Sequence, residues 1–394
     1  MTIPPPRRAR FALPRGERAW RAFAIQAVVL VLIAALLAWV ASNVVTNITR
    51  LNINTGFSFL ARPAGFEISQ KLVDYGDSAS YLDVFIIALL NTVVLTAIAI
   101  LFATLLGFAI GFARLSSNQL VAGVAAGYVE IVRNVPLLLQ LFYWYFAVLR
   151  PLPNPRQSLS LFDIAFLNKR GLYLPHPIFE SGFGALMLTL AAMLLIGLAL
   201  LWMNQRHRAR TGSGLHSVRL IALFLVVPPL IVAWLTGFPL SWDVPHLAGF
   251  NFTGGMTVIP EFVAMALALS LYGASYIAEI VRSGISAVPA GQIDAGRALG
   301  LSRGAINRFV VIPQALRVIL PPLGTQYIVL LKNSSLAAAI AYPDLMLVFG
   351  GTVLNQTGQP LEVMIITMAS YVLIGLAIGA VINLLNRRVQ LVER

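Results

Sequence analysis

Three groups of polar residues lie inside long apolar stretches, where an ionised side chain is costly and needs a partner or a path. Glu130 precedes Arg133 by three residues, and Glu279 precedes Arg282 by the same spacing. Residues three apart share one face of a helix, so each carboxylate can neutralise its arginine. The spacing leaves three roles open, in decreasing order of preference: interfacial pairs that hold a helix, coupling or gating, and direct substrate contact.

The third group, Lys332, Asn333 and Ser334, lies well inside an apolar run with no acidic residue nearby in the sequence. A fixed cation beside amide and hydroxyl groups can receive the α-carboxylate of a substrate, an arrangement typical of broken transporter helices. Alternatively, Lys332 extends its ammonium group to the outer membrane surface. The sequence alone leaves both interpretations open.

The composition argues against metal-binding and nucleotide-binding sites. The chain has 394 residues, no cysteine and four scattered histidines, which excludes disulfides and thiolate metal sites and argues against any metal site. None of the three lysines follows a glycine, so the Gly-Lys pair of a phosphate-binding Walker A loop is missing. We therefore expect no metal, no cofactor and no ATPase activity in this chain.

The elements that must position these residues are membrane helices. Hydrophobic residues make up 58% of the chain and charged residues 11%, with a mean hydropathy of +0.82. This composition is typical of a polytopic membrane protein. The net charge of +13 comes from positive residues at the ends of apolar runs, where they set topology, and no nucleic-acid partner is expected.

The hydrophobic pattern predicts an all-α polytopic membrane protein with eight spans and both termini in the cytoplasm. Spans are expected at about 22–45, 84–112, 120–149, 184–203, 220–237, 260–285, from 318 onward and 362–385. The seventh run is interrupted by Pro321 and Pro322. Basic loops, such as 204–219, belong inside by the positive-inside rule. Six arginines precede or begin the first run, which we interpret as an uncleaved helix rather than a signal peptide.

Residues 291–313 read GQIDAGRALGLSRGAINRFVVIP, a polar, arginine-rich stretch between two apolar segments. A short helix is expected from Ile293 to Leu299, ended by Gly300 in a left-handed conformation. Ser302 can cap a second helix, and Pro313 marks the return towards the membrane. We call this stretch the knob, because two short helices of small residues would allow a partner to approach closely.

The knob resembles the EAA loop of binding-protein-dependent ABC transporter permeases. That motif reads Glu-Ala-Ala, three residues, Gly, nine residues, then Ile-x-Leu-Pro. The matching residues here keep the spacing and are Asp294, Ala295, Gly296, Gly300, Val310, Ile312 and Pro313. Asp294 replaces the glutamate of the motif, and Gly296 replaces its second alanine. The resemblance implies that these residues couple the permease to an ATPase.

Four further stretches, 128–142, 278–292, 321–324 and 331–336, resemble the polar amino-acid subfamily of these permeases. The resemblance covers about 84–149 and 260–388, and it implies a type I importer domain at 84–388. Residues 150–259 then form an insertion with two extra helices. Residues 1–83 would hold a basic cytoplasmic amino terminus, the first helix and a periplasmic loop. This layout resembles the larger permease of general L-amino-acid uptake systems.

The resemblance implies a permease subunit, not an enzyme, that moves L-amino acids across the bacterial inner membrane. A separate cytoplasmic ABC ATPase dimer would use ATP and receive the knob. A periplasmic amino-acid-binding protein would deliver the substrate, and a paralogous second permease would complete a heterodimer in the lipid bilayer. The alternative is an ion-coupled secondary amino-acid transporter, which the span count allows but the lack of a convincing internal repeat disfavours.

Overall fold

The computed structural model describes residues 17–51, 53–71, 76, 78–211 and 218–389. The basic residues at positions 7, 8, 10 and 15 of the predicted cytoplasmic amino terminus lie outside this part of the chain. Residues 212–217 of the predicted inner loop and the carboxyl-terminal tail from 390 onward also lie outside it.

Long helices dominate the described chain. Five of them are long and apolar enough to cross a membrane: α1 (Glu17–Arg50), α2 (Tyr81–Ala113), α5 (Phe183–Thr211), α7 (Pro260–Ser286) and α13 (Pro360–Val389). Two bent helix pairs raise the number to seven if each pair counts as one span. The described apolar part of α6 (Val218–Leu235) is shorter, at Leu225–Leu235. The predicted count of eight is therefore not confirmed.

The predicted third span is wrong as a single helix. The chain forms α3 (Gln119–Asn134) and then α4 (Leu137–Phe142), which continues as a π-helix to Leu149, and the two parts are bent by 102°. Pro136 causes the break, because a residue before proline avoids the helical conformation, and Val135 is extended. The Gln140 amide donates to the carbonyls of Val132 at 2.8 Å and Val135 at 2.9 Å, which satisfies groups that the break exposes.

The predicted interruption of the seventh apolar run lies elsewhere. Helix α10 (Ile312–Ser334) passes through both Pro321 and Pro322. It is packed against α2, α7 and α13, and such packing keeps a proline-containing helix continuous. The bend, of 59°, comes later, around Ala341 with φ 61°. Two short helices follow: α11 (Leu345–Leu347), continued by a π-helix to Val353, and α12 (Leu354–Thr357).

The core of the protein is the close crossing of α2 and α7. A Cβ atom on Gly107 would lie 2.6 Å from Cβ of Ile277, and one on Gly111 would lie 2.8 Å from Cβ of Val281. The two glycines are four residues apart, so one bare face of α2 meets α7. Around this crossing, α4 and α10 contribute buried side chains such as Leu141 and Leu330.

Eight short strands, which the all-α prediction missed, lie within the predicted insertion. Strands β1 (Leu159–Leu161), β2 (Ala165–Asn168), β3 (Gly171–Leu174) and β8 (Met256–Val258) form one antiparallel sheet in that order. The other four pair as β4 (His176–Phe179) with β5 (Leu240–Asp243), and β6 (His246–Ala248) with β7 (Asn251–Thr253). Runs of three or four residues are too short to show an alternating pattern.

Candidate functional site

The first helix of the knob, α8 (Ala290–Ala298), begins three residues before its predicted start and ends one residue before its predicted end. Gly300 has φ 73°, a left-handed conformation that costs glycine little. Its N–H donates to the Arg297 carbonyl at 2.9 Å, and the Leu301 N–H donates to the Gly296 carbonyl at 3.1 Å. These two bonds are the Schellman pattern, which satisfies carbonyls at a helix end.

The second helix, α9 (Arg303–Ile306), is capped by Ser302 as predicted, since its hydroxyl accepts from the Ala305 N–H at 3.3 Å. A π-helical turn at Asn307–Val311 then joins α9 directly to α10. Pro313 lies in the first turn of α10, where the chain leaves the knob and returns towards the core, and it makes no break. The first turn tolerates proline because its N–H needs no helical acceptor.

The inner contact of the knob is between Gly296 and Ile306, both buried. A Cβ atom on Gly296 would lie 3.1 Å from Cγ1 of Ile306, so the missing side chain lets α8 and α9 pack closely. The glycine therefore serves packing inside the chain. Val310 and Pro313 are half-buried.

The outer surface of the knob combines charge with exposed apolar side chains. Asp294 and Ala295 are exposed, and Asp294 pairs with Arg297 at 2.9 Å in the open. Leu299 is 79% exposed and Phe309 is 67% exposed, next to the exposed Ile312. Exposed large apolar side chains that lie close together are typical of an interaction surface. Leu299 and Phe309 are not motif residues and were not predicted. Their signal in the sequence is a large apolar side chain within a polar stretch.

A charged cluster lies at the end of α7 that leads into the knob. The Glu279 carboxylate accepts from Arg282 Nη2 at 2.5 Å, so this predicted pair forms. It also pairs with Arg114, the residue that ends α2, and accepts from the Ser283 hydroxyl at 3.2 Å. Sequence spacing could not reveal Arg114, because it lies 165 positions from Glu279.

The predicted pair of Glu130 and Arg133 does not form, although both lie on α3. Among the described residues, the side chain of Glu130 has no ion pair or hydrogen bond, and it is exposed. The Arg133 guanidinium instead lies 4.8 Å from the centre of the Tyr276 ring on α7. An arginine gains from stacking on an aromatic face, and here α7 brings that face to the end of α3.

Lys332, Asn333 and Ser334 do not point into one site. Ser334 is buried, and its hydroxyl donates to the Leu331 carbonyl at 2.7 Å, while Asn333 is half-buried. Lys332 is exposed and lies at one end of a row of exposed residues along α10. We call this row the α10 stripe; it consists of Val318, Pro322, Thr325 and Lys332. No group of three or more His, Cys, Asp or Glu side chains in the described chain could hold a metal ion.

Comparison with known proteins decides the family. The chain is 49% identical over 374 residues, 95% of each chain, to YhdX of Escherichia coli (strain K12), whose name describes an amino-acid ABC transporter permease. The chain belongs to the binding-protein-dependent ABC transporter permeases. The profile of the family "Binding-protein-dependent transport system inner membrane component" matches residues 215–391 of the permease.

Two further relatives cover the permease almost end to end. It is 43% identical over 95% of its length to the general L-amino acid transport system permease protein AapQ of Rhizobium johnstonii, of which 94% is covered. It is 37% identical to the glutamate/glutamine/aspartate/asparagine transport system permease protein BztB of Rhodobacter capsulatus, with 99% of both chains covered. The predicted resemblance to permeases of general L-amino-acid systems is confirmed.

Proposed function

We propose that the permease carries L-amino acids inward across the inner membrane as one subunit of an ATP-driven importer. The names of its relatives support the substrate class, since each describes an amino-acid permease. In this proposal the permease needs no cofactor, and a separate ABC ATPase dimer hydrolyses the ATP. A periplasmic amino-acid-binding protein delivers the substrate to the opposite face.

The observation that carries this proposal is the exposed knob between α7 and α10. It exposes both the motif residue Asp294 and the apolar Leu299 on a surface that the rest of the described chain leaves open. Both helices that leave the knob run directly into the core, because α7 packs on α2 and α10 packs on α7. A push on the knob by the ATPase is therefore transmitted to the membrane helices. In this proposal the knob side is cytoplasmic, and both termini lie on that side as well.

The translocation path is proposed to follow the α10 stripe. Helix α10 is packed on other sides by α2, α7 and α13, so this stripe is a surface of a central helix that the described chain leaves free for substrate or a second subunit. Lys332, near the outer end of the stripe, offers a cation to the α-carboxylate of an amino acid. A paralogous permease would cover the stripe and close the path.

The proposed domain organisation keeps the importer domain at 84–388, with 150–259 inserted. Two strand pairs support these limits, because β3 with β8 and β4 with β5 join the start of the insertion to its end. Helices α5 and α6 pack on each other beyond these pairs. The segment 1–83 precedes the domain as a separate first helix with its outer loop.

The test is uptake of labelled L-amino acids into proteoliposomes that contain the permease with its ATPase, second permease and binding protein. We expect uptake to require both ATP and the binding protein. The Leu299→Asp variant should lose this uptake, and the ATPase should no longer co-purify with it. Leu159→Asp, on the exposed strand β1, is the matched control and should leave co-purification intact. Uptake driven by an ion gradient without ATP would refute the proposal in favour of a secondary transporter.

A further inference from the structure

A polar cavity of about 470 Å³ separates α3 from the ends of α2 and α7. Its charged walls are Glu130 and Arg133 on α3, Arg114 at the end of α2, and Glu279 on α7. Glu279 lies two helical turns before Ser286, where α7 ends and the chain turns into the knob. The cavity therefore opens near the face of the membrane domain that carries the knob.

The charges of this cavity are not balanced within the described chain. Glu279 is saturated, because Arg114 and Arg282 both bind it. These three side chains together carry one surplus positive charge. On the opposite wall, neither Glu130 nor Arg133 has an ion pair among the described residues, and Arg133 stacks on the uncharged Tyr276 ring. The walls thus present one free carboxylate and one free guanidinium to the same space, beside a site of positive potential.

We propose that this cavity binds a free L-amino acid from the cytoplasm, with a preference for an acidic side chain. Its α-ammonium group would pair with Glu130, and its α-carboxylate would pair with the guanidinium of Arg133. Stacking on Tyr276 fixes the plane of that guanidinium, so its N–H edge is pre-organised for two parallel bonds to a carboxylate. The surplus charge around Arg114 would attract the second carboxylate of an acidic amino acid. The proposal rests on the function proposed above.

A bound amino acid would act as a brake on import by its own product. Helix α3 is attached to α7 by the hydrogen bond from the Tyr128 hydroxyl to the Leu271 carbonyl, at 2.7 Å, and by the stacking of Arg133 on Tyr276. A ligand between Glu130 and Arg133 holds the cavity open. It therefore favours the conformation in which α3 and the end of α7 stay apart, and a ligand shifts an equilibrium by its differential affinity for the two states.

The experiment uses proteoliposomes of the complete transporter with ATP in the lumen, where the ATPase lies. L-glutamate is loaded into the lumen, and the initial rate of uptake is compared with unloaded liposomes of the same variant. We expect lumenal L-glutamate to inhibit the wild-type protein, and Glu130→Gln and Arg133→Gln each to raise the inhibitory concentration about tenfold, as loss of one charge-assisted hydrogen bond predicts. Glu180→Gln and Arg150→Gln are the matched controls, because both residues are exposed and neither lines the cavity.

A second comparison identifies the role of Glu130. Lumenal glutarate, which lacks the ammonium group, should inhibit the wild-type protein less than L-glutamate does, and Glu130→Gln should remove this difference. A merely structural glutamate would not change the preference between two ligands. Direct binding of tritiated L-glutamate to the solubilised complex without binding protein should fall by the same factor in both variants.

Unchanged binding in both variants, or equal inhibition of all variants, overturns this inference while leaving the proposed function intact. Stronger inhibition by lumenal L-arginine than by L-glutamate overturns the acidic preference. A complete lack of ATP-driven uptake in unloaded liposomes refutes the proposed function itself, and the inference fails with it.

Discussion

Replacing Gly296 by alanine, together with Asp294→Glu, restores the sequence pattern of the family and tests the packing of the knob. Alanine is favoured over glycine inside a helix by about 1 kcal/mol. The new Cβ would lie 3.1 Å from Cγ1 of Ile306, so Ile306 must shift by a few tenths of an ångström, at a cost of about 1 kcal/mol. The two effects offset each other, and the exposed position 294 adds little.

We therefore expect the double variant to melt within about 4 °C of the wild-type complex and to keep most of its ATP-driven uptake. Gly296→Val places further methyl groups against Ile306, so it should lower the melting temperature clearly and release the ATPase. Gly291→Ala is the control, because a Cβ there meets no atom within 4 Å. The packing argument is refuted if Gly296→Val behaves as wild type. If the double variant melts normally but loses uptake, Gly296 faces the ATPase instead of Ile306.

Three further outcomes follow from the described contacts. Glu279→Gln leaves the partly buried guanidinium groups of Arg114 and Arg282 without a counter-charge. The complex should therefore lose about 1–3 kcal/mol of stability, measured by denaturant unfolding. An unchanged stability would contradict the role of Glu279 in the charged cluster. Lys332→Met should preserve assembly, since Lys332 is exposed, and reduce uptake about tenfold or more; unchanged uptake by an assembled complex removes Lys332 from the pathway. Gly111→Val forces α2 away from Val281 and should abolish membrane expression, whereas Gly127→Val, with nothing within 4 Å, should not.

The local elements of the knob could be predicted closely from the sequence. Gly300 ends α8 and Ser302 caps α9, because both effects depend on backbone conformation and hydrogen bonds within a few residues. Pro313 lies where α10 begins, at the position predicted for the return towards the membrane. Proline blocks a helix only where its missing N–H and its ring meet a preceding turn, and Pro313 lies in the first turn of α10.

The roles of the membrane charges could not be predicted, because they depend on contacts between distant segments. Spacing predicted two equivalent pairs on α3 and α7, yet only Glu279 binds its neighbour, and it also binds Arg114 from α2. Arg133 stacks on Tyr276 because α7 brings an aromatic ring to the end of α3. Helical periodicity is identical in both segments and carries no information about which neighbour a side chain will find.

The sequence by itself determined that this chain is a helical membrane protein with a polar knob between two apolar segments, because hydropathy and short-range backbone preferences are local properties. The sequence also determined the family, because the motif is defined by residues such as Asp294 and Gly300 and by their spacing in the sequence. Only the tertiary structure decided that Gly296 packs on Ile306, that α3 breaks away at Pro136, and that Glu130 stays unpaired at a polar cavity. These three features depend on how α2, α3 and α7 pack together. That packing brings together residues that are distant in the sequence, so it cannot be predicted from local sequence patterns.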